Sequence, residues 1–389
     1  MPLEHLHADM NVALNASILR APRTGIGQYV AGLVTALQQR DDVDVRLFLG
    51  NGWSPTLPAP AEAALVEQAA RRAALLRKLP GAYRLRRFFE QRAFDAGLRR
   101  QRAELYHEPS LWPLDFDGPL VMTVHDLTHV RYPETQPRAR LREIERRVGK
   151  GVACATRVLV DSACIGEEVV RHFGLPAEKV VVAPLGCGSE FHPRTAAQTR
   201  AALQPLGVSH GEYLLCVGTL EPRKNLVLAL RAHARLPETL RARYPLLIVG
   251  MSGWGEDKFA AELQAALAAG HVRLAGYLGR ERLAEVVAGA RALVYPSLYE
   301  GFGLPVVEAM ASGTPVVVSD RASLPEVAGS AGIVIDAADD AGLADAMRTL
   351  IEDDAAWQRC RDAGLQRAAQ FTWRRCAELT AQAYRAALA

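Results

Sequence analysis

The chain has 389 residues, 49% hydrophobic and 23% charged, with 46 Lys and Arg against 43 Asp and Glu. One core rarely holds so long a chain, so two domains of roughly 180 residues are expected. A net charge of +3 argues against a nucleic-acid-binding face, no apolar run is long enough to span a membrane, and the six cysteines form no C-x-x-C or metal-ligand pattern. These features, with no signal peptide, lead us to expect a protein of the reducing cytoplasm.

Residues 1–9 are polar and aperiodic and read as a leader without fixed structure. Met10–Ala16 reads as a buried strand, Gly25 and Gly27 as a tight loop, and Gln28–Leu37 as an amphipathic helix. Strand, glycine loop and helix begin a Rossmann-type half, although G-I-G alone is a weak signal. A nicotinamide-dependent dehydrogenase would need G-x-G-x-x-G here, and T-G-I-G-Q-Y does not complete it. Asp44–Leu49 is the next strand.

Residues 71–102 carry eleven Lys or Arg against two acidic residues, with Leu76, Leu79 and Tyr83, then Leu85, Phe89 and Ala93, at helical spacing. Such a segment suits an anionic membrane surface, or else packs its apolar stripe on its own domain. Pro119–Val124 reads as a buried strand that delivers His125 and Asp126 at its carboxyl end, where α/β sheets bind ligands. Arg157–Val160 and Lys179–Ala183 are further strands, with Asp161 or Ser162 capping the intervening helix. Gly186 and Gly188 give flexibility to residues 184–193, PLGCGSEFHP.

A second series of strands follows at Tyr213–Val217, Leu246–Gly250 and Val272–Tyr277. Gly218 turns the chain after the first of these, and Arg223 and Lys224 stand where the next helix begins. Two cations there can neutralise a diphosphate and stabilise the charge that grows as it leaves. Ala292–Tyr295 is another strand, Pro296–Gly303 a glycine-containing loop, and Pro305 the opening of a helix that ends before Gly313. A helix start reached through Gly301, Phe302, Gly303 and Leu304 offers backbone N–H groups and a positive dipole end to an anion. Glu300 and Glu308 would be repelled by phosphate, so hydroxyls are their expected partners. A ligand with a phosphate-rich middle and hydroxylated ends is a nucleotide sugar.

The stretch EGFGLPVVEAMASGTPVV closely resembles the E-x7-E signature of family 4 glycosyltransferases, retaining enzymes of the GT-B fold. The register extends through GYLGRERLAEVVAGARALVYPSLYEGFGLP before it and SLPEVAGSAG after it. The resemblance implies an α/β protein of two Rossmann-like domains facing across a cleft. Residues 10–185 would be the acceptor domain, with a last helix at about 372–389 crossing back onto it, and 190–371 the nucleotide-sugar domain. In similar enzymes the Gly25–Gly27 loop lines the cleft, His125 faces the donor sugar with Asp126 beside it, and Tyr277 lies near the base. The implied catalytic set is His125, Asp126, Arg223, Lys224 and Glu300. The implied donor-binding set adds Gly25, Gly27, Gly218, Thr219, Tyr277, Gly301, Phe302, Gly303, Leu304 and Glu308. Lys224 matches the family directly, whereas the family's arginine after the glycine is Thr219 here, with Arg223 as its substitute. GDP-mannose is the favoured donor, with a UDP-sugar or a nucleotide-sugar epimerase of the same fold as alternatives. The acceptor would be a saccharide or polyprenyl-linked saccharide of bacterial surface polysaccharide or lipopolysaccharide. No D-x-D pair follows a strand as a metal anchor, so neither metal nor cofactor is expected.

Overall fold

A computed structural model describes residues 10–20, 25–59, 82–135, 138–251, 253, 255 and 259–389. The polar leader, residues 71–81 of the basic segment and most of the 251–259 loop lie outside these. Apolar runs such as LVMTV, LLIV and ALVY have no polar face to leave in water, and each is buried along its whole length. Strands of that kind belong in parallel sheets covered by helices on both sides.

The first sheet comprises β1 (Met10–Asn15), β2 (Val43–Phe48), β3 (Trp53–Ser54), β4 (Leu105–Glu108), β5 (Leu120–Val124), β6 (Arg157–Val160) and β7 (Val180–Val182). Its order is β3-β2-β1-β4-β5-β6-β7, parallel throughout except at the β3 edge. The second sheet, all parallel, comprises β8 (Leu214–Val217), β9 (Leu246–Val249), β10 (Val272–Gly276), β11 (Ala292–Tyr295), β12 (Val316–Ser319) and β13 (Ile333–Ile335) in the order β10-β9-β8-β11-β12-β13. Each half is thus a Rossmann-like α/β unit, as expected. Strand order reverses between β1 and β4 and again between β8 and β11, where a crevice opens beyond the carboxyl ends.

The first helix spans Gly25–Leu37, so Gly25 and Gly27 form its opening turn and not the tight loop anticipated. Packing of Tyr29, Leu33 and Leu37 into the core outweighs the poor helix propensity of glycine. In the helix Ala82–Gln101 the inward anchor is Phe94, set against Phe48, Trp53 and Tyr106. The stripe read through Leu85 and Phe89 faces outward: Leu85, Phe88 and Phe89 are 59%, 53% and 61% exposed.

The last helix, Trp373–Leu388, packs on Gly25–Leu37 and on β4 to β7 through a stripe including Cys376, Thr380 and Tyr384. Its Tyr384 hydroxyl lies 2.6 Å from Nδ1 of His107. Thr372 bridges to Cys187, which sets the two chain crossings side by side. Further bonds fasten the halves together. Ser162 Oγ donates to the Gly301 carbonyl (2.8 Å), and the Leu127 N–H to the Tyr299 hydroxyl (3.0 Å), which donates to Glu168 (2.6 Å). Glu326 caps the helix Ala163–Phe173 from across the boundary, accepting from the N–H groups of Ala163 (2.8 Å) and Cys164 (3.0 Å).

A Cβ added to Gly32 would stand 2.2 Å from the Trp373 ring. Overpacking of about 1–3 kcal/mol outweighs the roughly 0.5–1 kcal/mol that alanine gains over glycine in a helix. Gly32→Ala should therefore lower the urea midpoint of unfolding; an unchanged midpoint would show that the ring yields freely.

Candidate active site

A cleft of about 480 Å³ separates the carboxyl ends of the two sheets. From the first half it is lined by Gly25 and Tyr29 after β1, Ser110 after β4, His125 and Asp126 after β5, and Asp161 after β6. From the second half come Gly218, Thr219, Arg223 and Lys224 after β8, Met251 after β9, Tyr277 and Arg280 after β10, and Glu300 to Leu304 with Glu308 after β11. All the anticipated site residues meet there except Gly27, which is buried within its helix and does not line the cleft.

At the centre stands Glu300, whose side chain is 8% exposed. Lys224 Nζ donates to its Oε1 at 2.6 Å and Arg223 Nη1 to its Oε2 at 2.9 Å. Burial alone would raise the Glu300 carboxyl, but the two cations outweigh it and hold its pKa at about 2. Lys224 also donates to the Tyr295 hydroxyl (2.7 Å), and Arg223 to Glu221 (3.1 Å) and the Tyr299 carbonyl (2.9 Å). Asn225, at φ 55°, turns the chain here and donates to the Pro296 (3.1 Å) and Ala337 (2.8 Å) carbonyls. The two cations are thereby set on the β8 side of the crevice, opposite the β11 loop.

The glycines of that loop answer to backbone packing. A Cβ on Gly301 would lie 1.9 Å from the His125 carbonyl oxygen, so glycine lets the halves touch. Gly303 has φ 97° and precedes the helix Leu304–Ala311, with Pro305 inside its first turn. Ser323 Oγ pins the loop by donating to the carbonyls of Glu300 (2.9 Å) and Phe302 (3.0 Å). The Phe302 ring turns away into the core, edge-on to Phe371.

His125 is oriented from outside the anticipated set. Its Nδ1 lies 2.7 Å from Asp161 and its Nε2 3.1 Å from the Pro109 carbonyl. Both ring nitrogens face acceptors, an environment that suits the imidazolium. Burial opposes that charge, but Asp161 outweighs it and raises the His125 pKa above its ordinary value. Asp161, expected only as a possible helix cap, is buried with Oδ1 lacking a partner, while Ser162 does the capping. Glu308 is 5% exposed and accepts at 3.0 Å from Arg280, a residue that sequence spacing did not single out. Burial raises the Glu308 carboxyl and Arg280 opposes the rise. The signal for Arg280 was its place at the carboxyl edge of the second sheet.

Cations and ion-paired buried carboxylates beside a glycine-led helix start, across a crevice between two Rossmann-like halves, are the features of a glycosyltransferase site. Residues 23–190 match the family described as Glycosyltransferase Family 4, and residues 204–367 match Glycosyl transferases group 1. The O-antigen chain mannosyltransferase B of Escherichia coli is 34% identical over 97% of this chain and 100% of that one. The D-inositol 3-phosphate glycosyltransferase of Nocardia farcinica is 30% identical over 69% of this chain and 62% of its own. The chain belongs to glycosyltransferase family 4. Its fold matches the sucrose-phosphate synthase of Thermosynechococcus elongatus with a TM-score of 0.73 at 24% identity, covering 97% and 98% of the two chains. WaaG, a glycosyltransferase of lipopolysaccharide biosynthesis, matches with a TM-score of 0.68 at 17% identity, covering 95% and 98%. Among the described residues no helix is long and apolar enough to cross a membrane.

Glu300→Gln would leave Lys224 and Arg223 facing each other without their shared counter-charge. It should cost about 1–3 kcal/mol, and inorganic pyrophosphate should then raise the melting temperature more than in the wild type. The absence of a pyrophosphate shift in both proteins would show that the cations do not meet anions.

Proposed function

We propose that this glycosyltransferase moves an α-mannosyl group from GDP-mannose, with retention of configuration, onto a saccharide or polyprenyl-linked saccharide during bacterial surface polysaccharide synthesis. The observation that carries the reading is the convergence of Lys224, Arg223, Glu300 and Glu308 on one crevice. The full-length match to a protein named O-antigen chain mannosyltransferase B favours mannose over other hexoses. In this reading the diphosphate lies against Lys224, Arg223 and the N–H groups around Gly303 and Leu304. Glu300 holds hydroxyls of the sugar, Glu308 those of the ribose, and Tyr277 borders the base. His125 and Asp126 face the sugar from the acceptor half, where Gly25 opens the first helix.

The bond from the anomeric carbon to the diphosphate oxygen breaks, and the acceptor oxygen bonds to the same face of that carbon. The acceptor proton passes to the departing phosphate oxygen, so no side chain becomes covalently attached. Lys224 and Arg223 stabilise the charge that accumulates on the leaving diphosphate, a role for which no metal is assigned. For a lipid-linked acceptor, the outward face of Ala82–Gln101, with Leu85, Phe88 and Phe89 beside Arg92, Arg99 and Arg100, is suited to an anionic leaflet.

Lys224→Ala and Glu308→Ala should each lower transfer from GDP-mannose about a hundredfold or more while the variants stay folded by circular dichroism. Full activity in either removes that residue from the site, and epimer formed from donor alone would replace transfer by epimerisation. Wild-type protein should float with anionic vesicles and the Phe88→Ser/Phe89→Ser variant should not. Equal flotation of both would dismiss this face as the contact.

A further inference from the structure

We propose that Arg280 is a positioning residue for donor binding: bridged between Glu190 of the interdomain linker and Glu308, it aims the Glu308 carboxylate at the ribose diol. The inference rests on the reading of Glu308 as the ribose-binding carboxylate.

Glu308 lies one turn into Leu304–Ala311 and opens onto the cleft, yet its side chain is almost fully covered. A carboxylate so placed needs a cation, or it takes up a proton. Lys224 and Arg223 are engaged by Glu300, and Arg280 is the one ion-pair partner of Glu308 among the described residues. Arg280 begins the helix Arg280–Gly289 and uses its fork in two directions. Nη1 donates to Oε1 of Glu308 at 3.0 Å, and Nε donates to Glu190. The guanidinium also lies over the ring of Phe191, 4.8 Å from its centroid. A planar cation with donors at fixed angles can serve both carboxylates and stack on a ring at once, which an ammonium cannot. The Arg280 bond falls on Oε1, and in this proposal Oε2 is the oxygen that meets the ligand.

One guanidinium between two carboxylates leaves Glu308 only partly neutralised and so a strong acceptor for a diol. Protonated, it would carry a donor on one oxygen and lose that pairing. The groups facing Glu308 are Arg280 from its helix, and Glu190 and the Cys187 thiol from the linker. Burial pushes the thiol up, so it stays neutral and leaves Arg280 and Glu190 as the opposing influences. Arg280 favours the ionised form and Glu190 disfavours it. With Arg280→Gln, burial and Glu190 act unopposed and the Glu308 pKa rises. Binding then survives above that raised value and is lost as pH falls through it, at a higher pH than in the wild type. Glu190→Gln removes the opposing charge and moves the acid limb the other way.

The test is calorimetric titration of GDP, and separately of inorganic pyrophosphate, into wild type, Arg280→Gln, Arg280→Lys, Glu190→Gln and Glu308→Gln from about pH 5.5 to about pH 8.5. Arg280→Gln should bind GDP about ten- to a hundredfold more weakly near neutral pH, recovering as pH rises. Arg280→Lys should recover part of the loss, and pyrophosphate, which has no ribose, should bind all five proteins alike. Unchanged GDP affinity with a flat profile in Arg280→Gln, or parallel pH-independent losses of GDP and pyrophosphate, overturns the role. If Glu308→Gln weakens GDP while Arg280→Gln does not, only Arg280 is displaced; if neither does, the reading of Glu308 falls as well. Should Arg280→Gln fail to fold, the downward shift in Glu190→Gln decides, and its absence rejects the proposal.

Discussion

The cleft is built around a shared charge: one carboxylate, Glu300, held by two cations, Lys224 and Arg223, with all three side chains largely withdrawn from water. Any of these ions alone would face a desolvation cost of several kcal/mol, so each is tolerable only because the others are present. The arrangement spans the switch point of the second sheet, joining the turn after β8 to the loop after β11. Arg223 is shared with Glu221 as well, so two cations and two carboxylates meet here. The cations face the start of Leu304–Ala311, whose dipole has the same sign.

The same loop is held from the other half. Gly301 packs directly on the His125 backbone, Ser162 donates to its carbonyl, and Tyr299 takes the Leu127 N–H. Ser162 does this while its oxygen caps the helix Ala163–Phe173, so one side chain starts a helix in the first half and fixes a carbonyl in the second. Placement of Glu300 is thus a property of both halves together. His125 is set by an equally remote partner, Asp161, at the end of the neighbouring strand.

Much of this was legible in the sequence. Uninterrupted apolar strands, glycine turns at their carboxyl ends and a proline-led helix announced two parallel-sheet halves, and the stretch from Glu300 to Glu308 was picked out as one site, which the cleft brings together. What escaped were pairings set by tertiary approach: His125 with Asp161 is 36 residues apart, Arg280 with Glu308 is 28, and Arg280 with Glu190 is 90. No local pattern encodes such distances. Gly301 was read as part of a helix start that receives an anion; the sequence could not show that its missing Cβ is needed against a carbonyl of the other half. In Ala82–Gln101 apolar residues occur on both sides of the helix, so periodicity could not say that Phe94 turns inward and Phe88 and Phe89 outward.

A consequence follows for how the two buried carboxylates differ. Glu300 is gripped by two cations that outweigh burial and keep it ionised. Glu308 is under-compensated, sharing one guanidinium with Glu190, and burial moves it the opposite way. Two glutamates eight positions apart on one loop and helix are thereby given opposite electrostatic settings by residues that neither neighbours in sequence. The first is locked as an anion whatever the pH of the cell. The second answers to Arg280, itself paired with Glu190 of the linker and stacked on Phe191, so this end of the cleft is the part most sensitive to how the halves are joined.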